Sequence, residues 1–317
     1  MKAVAFYRYG GPEELSLVDL PMPEPGEGEV RVKVRACAVN LSDWEGLVGS
    51  PFYARMVGGY RRPKRPVCGS DIVGVVDKLG AGVTGFEAGQ RIMGDFVMTQ
   101  RGFAEYAIVP VEHAVAVPDT LSDEIAACLP QAGGIAVWGT RDVQSGDNVL
   151  INGAGGGSGT MALQLAKTAG ARVTAVDNAG KTGWLESLGA DAVVDYRQID
   201  FARTGETWDR ILDMVATRGP FAVSRALSPG GWYRAVGGGV GVLLSLLAAN
   251  QPYRLAGKSI GMLLVPSGRD LTTRVAQMAV EGKIAPHIED VLPLEAVPEA
   301  LRRTGEGAVK GKLVIRP

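Results

Sequence analysis

The stretch Val149-Leu-Ile-Asn-Gly-Ala-Gly-Gly-Gly-Ser-Gly159 decides the fold. Val149, Leu150 and Ile151 read as a short apolar strand, and the glycines after them as a turn. Met161, Ala162, Leu165, Ala166 and Ala169 recur at helical spacing and mark one face of a helix opening near Gly159. The β-rich run Arg172-Val-Thr-Ala-Val-Asp177 completes a βαβ unit with an acid at the end of its second strand. A side chain at Gly153, Gly156 or Gly159 would block the tight turn, a diphosphate, or the packing of helix on strand. Unpaired N–H groups where the helix starts, at Gly157, Ser158 and Gly159, together with the helix dipole, would hold that diphosphate. The spacing is Gly-x-x-Gly-x-x-Gly rather than the commoner Gly-x-Gly-x-x-Gly, so the glycines alone are a weak signal. Their context makes the stretch a dinucleotide site: a strand before, a helix after, and Asp177, followed by Asn178, about twenty residues on, where a ribose-binding acid belongs.

Working outward, 317 residues suggest one large or two ordinary domains, and 46% apolar content can fill a sizeable core. A formal net charge of −1 points to neither nucleic acid nor an anionic membrane surface. The cysteines, Cys37, Cys68 and Cys128, are scattered and odd in number, which fits a reducing, cytoplasmic setting better than a disulfide framework. Met1-Lys-Ala-Val-Ala-Phe6 reads as a strand rather than a signal peptide. The most apolar later stretch, Val240 to Ala249, is too short for a membrane span and reads as a buried or pocket-lining helix.

Before Pro118 the chain is strand-rich and punctuated by glycine. Glu29-Val-Arg-Val-Lys-Val-Arg35 alternates strictly, as a half-buried strand does, and strands resume at Asp71 and Phe103. Residues 37–66 read as a long polar and aromatic connection with a basic run, Arg61-Arg-Pro-Lys-Arg65; a loop of this length is usually functional. Ser122 caps a helix. From Val149 onward, strands and helices alternate at the spacing of a doubly wound parallel sheet. The expected class is therefore α/β, a mostly-β domain joined to a dinucleotide-binding one.

Several motifs, in order, resemble the medium-chain dehydrogenase/reductase superfamily, in its zinc-free quinone oxidoreductase branch. They are Ala38-Val-Asn-Leu-Ser-Asp43 with Trp44, Pro66-Val-Cys-Gly-Ser-Asp71 with Gly74-Val-Val76, Gly85-Phe-Glu-Ala-Gly-Gln-Arg91, Gly102-Phe-Ala-Glu-Tyr106, Leu129-Pro-Gln-Ala132, the glycine turn, Ser187-Leu-Gly-Ala-Asp191 with Val193-Val-Asp-Tyr196, and Gly311-Lys-Leu-Val-Ile315. The resemblance runs nearly end to end. It implies a GroES-like substrate domain from residues 1–123 and 263–317, a Rossmann domain from 124–262, and a homodimer. It also implies a reductase of quinones or other α,β-unsaturated carbonyls using NAD(P)H, with a dedicated biosynthetic enoyl reductase or a cofactor-binding protein without turnover as the alternatives.

Zinc-dependent members of the superfamily carry metal ligands at the positions of Asn40, Ser70 and roughly Ala132; none is present here. His113 and His287 lack ligand spacing, so no metal is expected. Without a Lewis acid, hydride delivery to an already conjugated carbonyl is favoured over alcohol oxidation. By resemblance Asn40 lies near the nicotinamide and offers an amide; a loop-fixing role is the other reading. Asp43, a catalytic candidate, reads as a loop anchor more than as a proton-transfer group, and Tyr53 and Tyr60 read either as donors to a developing enolate or as surface or packing residues. The chain departs from the branch at Ile135, commonly Thr, and at Phe52, often Tyr; both changes remove a hydroxyl. Asp177 favours NADH by bonding the ribose hydroxyls and repelling a 2′-phosphate, while Lys181, read as a mobile charge, and Arg172 offer a countercharge. NADH is thus expected to serve at least as well as NADPH. Tyr196 matches a family tyrosine near the cofactor phosphates, and Gly237 and Gly238 would let backbone approach the nicotinamide.

Overall fold

The structure, a computed structural model, describes residues 1–317 in two units, Met1–Gly134 with Pro266–Pro317, and Ile135–Val265. In the first, β1 (Lys2–Ala5) pairs antiparallel with β2 (Ser16–Asp19). β3 (Glu29–Ala38) is the strand on which the larger sheet is built. Its alternation buries Val30, Val32 and Val34 on one face and leaves Lys33 and Arg35 exposed, as the period of two requires. β4 (Asp71–Leu79), β5 (Arg91–Asp95), β6 (Tyr106–Pro110) and β7 (Val115–Ala116) extend the sheet by antiparallel pairing, with β4 and β6 both on β3.

Residues 37–66 are not the open connection expected. They contain two helices, α1 (Leu41–Val48) and α2 (Phe52–Gly58). Asn40 is the cap of α1, its backbone N–H donating to Asp43 Oδ2 at 2.9 Å, and Gly49 ends the helix at φ 65°, a left-handed conformation that glycine adopts without strain. α3 (Asp123–Ala127) starts as expected, with Ser122 Oγ accepting from Ile125 N at 3.3 Å. Because α3 packs on β3 and β4, it belongs to the first unit, and the division falls at 134/135 instead of 123/124, within α4 (Pro130–Thr140).

The second unit holds β8 (Asn148–Asn152), α5 (Gly157–Thr168), β9 (Arg172–Asp177), α6 (Thr182–Ser187), β10 (Ala192–Asp195), β11 (Trp208–Asp213), α7 (Pro220–Arg225), β12 (Leu227–Ala235), α8 (Val240–Leu255) and β13 (Ser259–Met262). Its six strands are all parallel, in the order β10-β9-β8-β11-β12-β13. This is the doubly wound order, which reverses direction between β8 and β11; the crevice outside the carboxyl ends of those strands is the ligand position in such sheets. Val149, Leu150 and Ile151 are all buried, because helices cover both faces. Of the two readings of Val240–Ala249, a buried or a pocket-lining helix, the first needs correction. α8 packs against β13 and buries Leu243 and Leu246, but its apolar residues run all round it, so Leu244 and Leu247 remain 60% and 53% exposed.

The chain then returns to the first unit through α9 (Arg269–Val280), β14 (Ile288–Pro293), α10 (Val297–Gly305) and β15 (Lys312–Arg316). β15 lies parallel to β14 and antiparallel to β3, pairing Val314 with Ala38 and Ile315 with Cys37. Phe6, Ile72, Phe96, Phe103, Leu301 and Leu313 belong to the core of this unit. No helix of the chain is long and apolar enough to cross a membrane.

Candidate active site

The glycine turn leaves β8 at Asn152. Gly153 has φ 82°, and the N–H groups of Gly153 and Ala154 both donate to Val176 O, at 2.9 and 3.2 Å. α5 opens at Gly157, two residues before the expected start, with Gly156 as its cap. The first intrahelical bond is Thr160 N to Gly156 O at 2.9 Å, so the N–H groups of Gly157, Ser158 and Gly159 precede the ladder and suit an anion. The glycines differ in their reasons. A Cβ at Gly159 would collide with Gly153 O and the Ala154 backbone, so this glycine serves the protein's own packing. A Cβ at Gly156 would meet only Gly153 O at 3.6 Å, an ordinary contact, so the protein's own packing does not require glycine there. Gly155, which spacing did not single out, lies under Asp177 and the Lys181 stem.

Asp177 is buried at the end of β9 and accepts from three N–H groups. Gly155 N donates to Oδ2 at 2.8 Å; Asn178 N and Nδ2 donate to Oδ1 at 2.9 and 3.1 Å. Lys181 is not a mobile charge. It is 4% exposed, and its Nζ lies 3.2 Å from Asp177 Oδ1. Arg172 begins the strand that Asp177 ends, and at about 3.3 Å per residue it lies too far off to act there. Tyr196 is half-exposed beside this pair: its N–H donates to Asp177 O at 3.2 Å and the Arg197 guanidinium lies 5.6 Å from its ring centre.

At the switch point, Asn152 Nδ2 donates to Asp213 Oδ1 at 2.7 Å. Val215 N and Ala216 N donate to the same oxygen at 2.9 and 2.8 Å, and the Tyr233 hydroxyl donates to Oδ2 at 2.9 Å. Burial, then the adjacent carboxylate, push the Tyr233 phenol far above its ordinary range, so it stays a donor. Ala216 is held at φ 43°. Gly237 and Gly238 also have positive φ, and a Cβ at Gly238 would meet Ala216 O at 2.8 Å, so packing alone explains that glycine.

The first unit buries a second polar group. Asn40 is 5% exposed; its Oδ1 accepts from Lys312 Nζ at 2.5 Å and its Nδ2 donates to Ser70 Oγ at 3.2 Å. Lys312 also donates to Val39 O at 2.7 Å. Asn40 is thereby engaged at both ends of its amide inside the protein. Asp43 is fully buried, with Oδ2 on Asn40 N and Oδ1 on Gly69 N at 3.1 Å, the geometry of an anchor between α1 and the turn before β4. Burial raises its carboxyl to about 6, against the pull of those N–H groups and Lys312. Asp71, accepting from Gln131 N at 3.2 Å, and Asp95 are pushed up by burial, and each Asp71 charge is further opposed by Asp95. Lys312 and Asp213 were not singled out from the sequence. No group of three or more His, Cys, Asp or Glu side chains could hold a metal ion. Tyr53 is half-buried, its hydroxyl 3.3 Å from both carboxylate oxygens of Glu45.

Residues 26–119 match the alcohol dehydrogenase GroES-like domain family, and residues 188–315 the zinc-binding dehydrogenase family. The human quinone oxidoreductase is 30% identical over 99% of this chain and 97% of its own length. The solved quinone oxidoreductase of Coxiella burnetii superposes with a TM-score of 0.87 at 27% identity, covering 100% of this chain and 99% of that one. A thermostable alcohol dehydrogenase from Pyrobaculum aerophilum, solved with cobalt and zinc bound, superposes at 0.78 with 29% identity, over 100% and 99%. With its GroES-like and Rossmann-like units and a near-full-length relative at this identity, the chain belongs to the quinone oxidoreductase-like branch of the medium-chain dehydrogenase/reductase superfamily and is an oxidoreductase.

Proposed function

We propose that this protein reduces a conjugated carbonyl, a quinone or an enone, with NADH or NADPH and without a metal. When bound, the reduced dinucleotide supplies the hydride. The open space at Gly156, beside the N–H groups of Gly157, Ser158 and Gly159, supports a diphosphate seat there. Asp177 with Lys181, and Tyr196 with Arg197, are the groups to which the adenosine ribose would be fitted.

The observation that carries metal independence is the Lys312–Asn40–Ser70 chain of hydrogen bonds. An ammonium has no lone pair to offer a metal and an amide nitrogen is a poor ligand, so a Lewis acid does not fit among these residues. A conjugated substrate needs none: its negative charge spreads as hydride arrives, and one or two hydrogen-bond donors stabilise it.

The test is to follow NADH and NADPH absorbance with ortho-quinones, para-quinones, enones and enoyl thioesters, using protein exhaustively treated with chelator. Turnover of quinones or enones at undiminished rate is the expected result. Turnover of enoyl thioesters alone would make it a dedicated enoyl reductase, and silence throughout would make it a cofactor-binding protein. Loss of turnover on chelation, restored by zinc, would overturn metal independence.

A further inference from the structure

The basic run after α2 has no part in the site described above. Between Pro51 and Arg65 the chain carries five cations, Arg55, Arg61, Arg62, Lys64 and Arg65, and no acid. The overall charge of −1 averages this segment with the rest of the chain and so hides it. Arg55 is engaged: it donates to Gly49 O at 2.9 Å and lies 4.7 Å from the centre of the Tyr9 ring. Arg61, Arg62 and Lys64 are exposed, and Arg65 is half-buried. The exposed Arg8, Arg203, Arg302 and Arg316 each lie against a carboxylate, whereas these four cations do not.

α2 itself turns apolar groups outward. Phe52 and Met56, one helical turn apart, are 52% and 72% exposed, and Val57 and Tyr60 are 46% and 68% exposed. The rings of Phe52 and Tyr60 meet edge to face at 5.9 Å, so the loop after the helix folds back against its start. Lys64 N donates to Gly58 O at 2.8 Å, and a Cβ at Gly59 would meet Arg62 O and the Lys64 stem. The cations are thereby drawn against the end of α2, and the apolar side chains and the uncompensated charges form one patch. A cluster of large apolar side chains left in water, rimmed by charge, marks a docking surface.

We propose that this patch docks the protein on an anionic lipid bilayer, with Phe52, Met56, Val57 and Tyr60 entering the headgroup region and Arg61, Arg62 and Lys64 set on the lipid phosphates. Side chains of mixed aliphatic and aromatic shape need a receiving medium that deforms around them, and cations without partners need anions beside it. The surface of an anionic bilayer offers both. Nucleic acid offers phosphates and base faces but nothing to receive Met56 and Val57. With seven residues, α2 is too short to span and lies in the interface. A small apolar wedge and a few cations are each weak anchors alone, so the attachment needs both and is reversible.

The test is cosedimentation of the full chain with vesicles of phosphatidylcholine alone, and of phosphatidylcholine with one third phosphatidylglycerol, at low and high salt. The parent should bind the mixed vesicles, bind pure phosphatidylcholine far less, and be released by high salt. The double variant Arg61→Gln with Arg62→Gln should bind the mixed vesicles about thirtyfold more weakly, at about fivefold per cation. The double variant Phe52→Ser with Met56→Ser should bind them at least about tenfold more weakly. These four side chains are exposed, so both variants should melt with the parent, and the charge variant removes no packing. Absence of parent binding to the mixed vesicles overturns the proposal, and so does binding by either variant equal to the parent's. Tighter binding of a single-stranded DNA oligonucleotide than of the mixed vesicles overturns it in favour of nucleic acid.

Discussion

Asn152 and Asp213, at the carboxyl ends of neighbouring strands, are joined by a hydrogen bond of 2.7 Å at the point where the sheet reverses its order. Asp213 takes four donors from Asn152, Val215, Ala216 and Tyr233, and so ties β8, β12 and the loop after β11 together beneath the glycine turn.

Asp213→Ala should therefore leave several buried donors unsatisfied and destabilise the protein by at least about 3 kcal/mol, whereas Tyr233→Phe, which removes one donor, should cost about 1 kcal/mol. Denaturant midpoints measure both. Equal effects would mean that the carboxylate does not organise the crevice.

Gly156 and Gly159 should separate ligand room from packing room. Gly156→Val should keep the parental melting temperature within a few degrees and weaken NADH and NADPH binding by about a hundredfold or more, a steric loss of about 3 kcal/mol. Gly159→Val should lower the melting temperature sharply, because its side chain meets the Gly153 and Ala154 backbone. Parental cofactor affinity in Gly156→Val would place the diphosphate elsewhere.

We expect cofactor choice to turn on the Asp177–Lys181 pair. At an effective dielectric of about 20, a 2′-phosphate about 4 Å from either group would feel terms of about 4 kcal/mol, opposite in sign. We expect kcat/KM for NADH and NADPH within about tenfold of each other, a difference of about 1.4 kcal/mol. Lys181→Met should move the ratio towards NADH and Asp177→Ser towards NADPH. A ratio that neither substitution moves would refute the role of the pair.

Lys312 should matter more as pH rises. Burial raises the Asp43 carboxyl from 3.8 to about 6, and raises Asp71 and Asp95 as well. The folded state holds these protons more tightly than the unfolded chain, so the contribution of these three groups to stability is full at low pH and declines as pH climbs from 3.8 through about 6. Lys312 opposes that decline. Lys312→Met should destabilise by about 3 kcal/mol at pH 8, leaving carboxylates buried without a cation, and by clearly less at pH 5. Urea midpoints that fall equally at both pH values would rule this out.

The β8–turn–β9 unit was legible because its signals are local: three apolar residues, glycines, a helical period and an acid. β3 was legible from its period of two. The helices over residues 41–58 were hidden by the polar and aromatic character of the segment, although Asn40, Asp43 and Gly49 stand at cap positions that could have exposed α1. Lys312 is 272 residues from Asn40, and Asp213 is 61 from Asn152, so no local pattern pairs them. The burial of Lys181 follows from tertiary packing over Gly155, and the exposed leucines of α8 from which side β13 covers.

The pairing of β15 with β3 has a consequence for the order in which the protein is made. Residues 135–265 form an uninterrupted stretch and can close their sheet before β15 has been synthesised. The other unit cannot: part of the edge of β3, at Cys37 and Ala38, has no partner until Val314 and Ile315 have been synthesised. During that interval the nascent chain presents unsatisfied backbone groups at this edge as a template for strand addition.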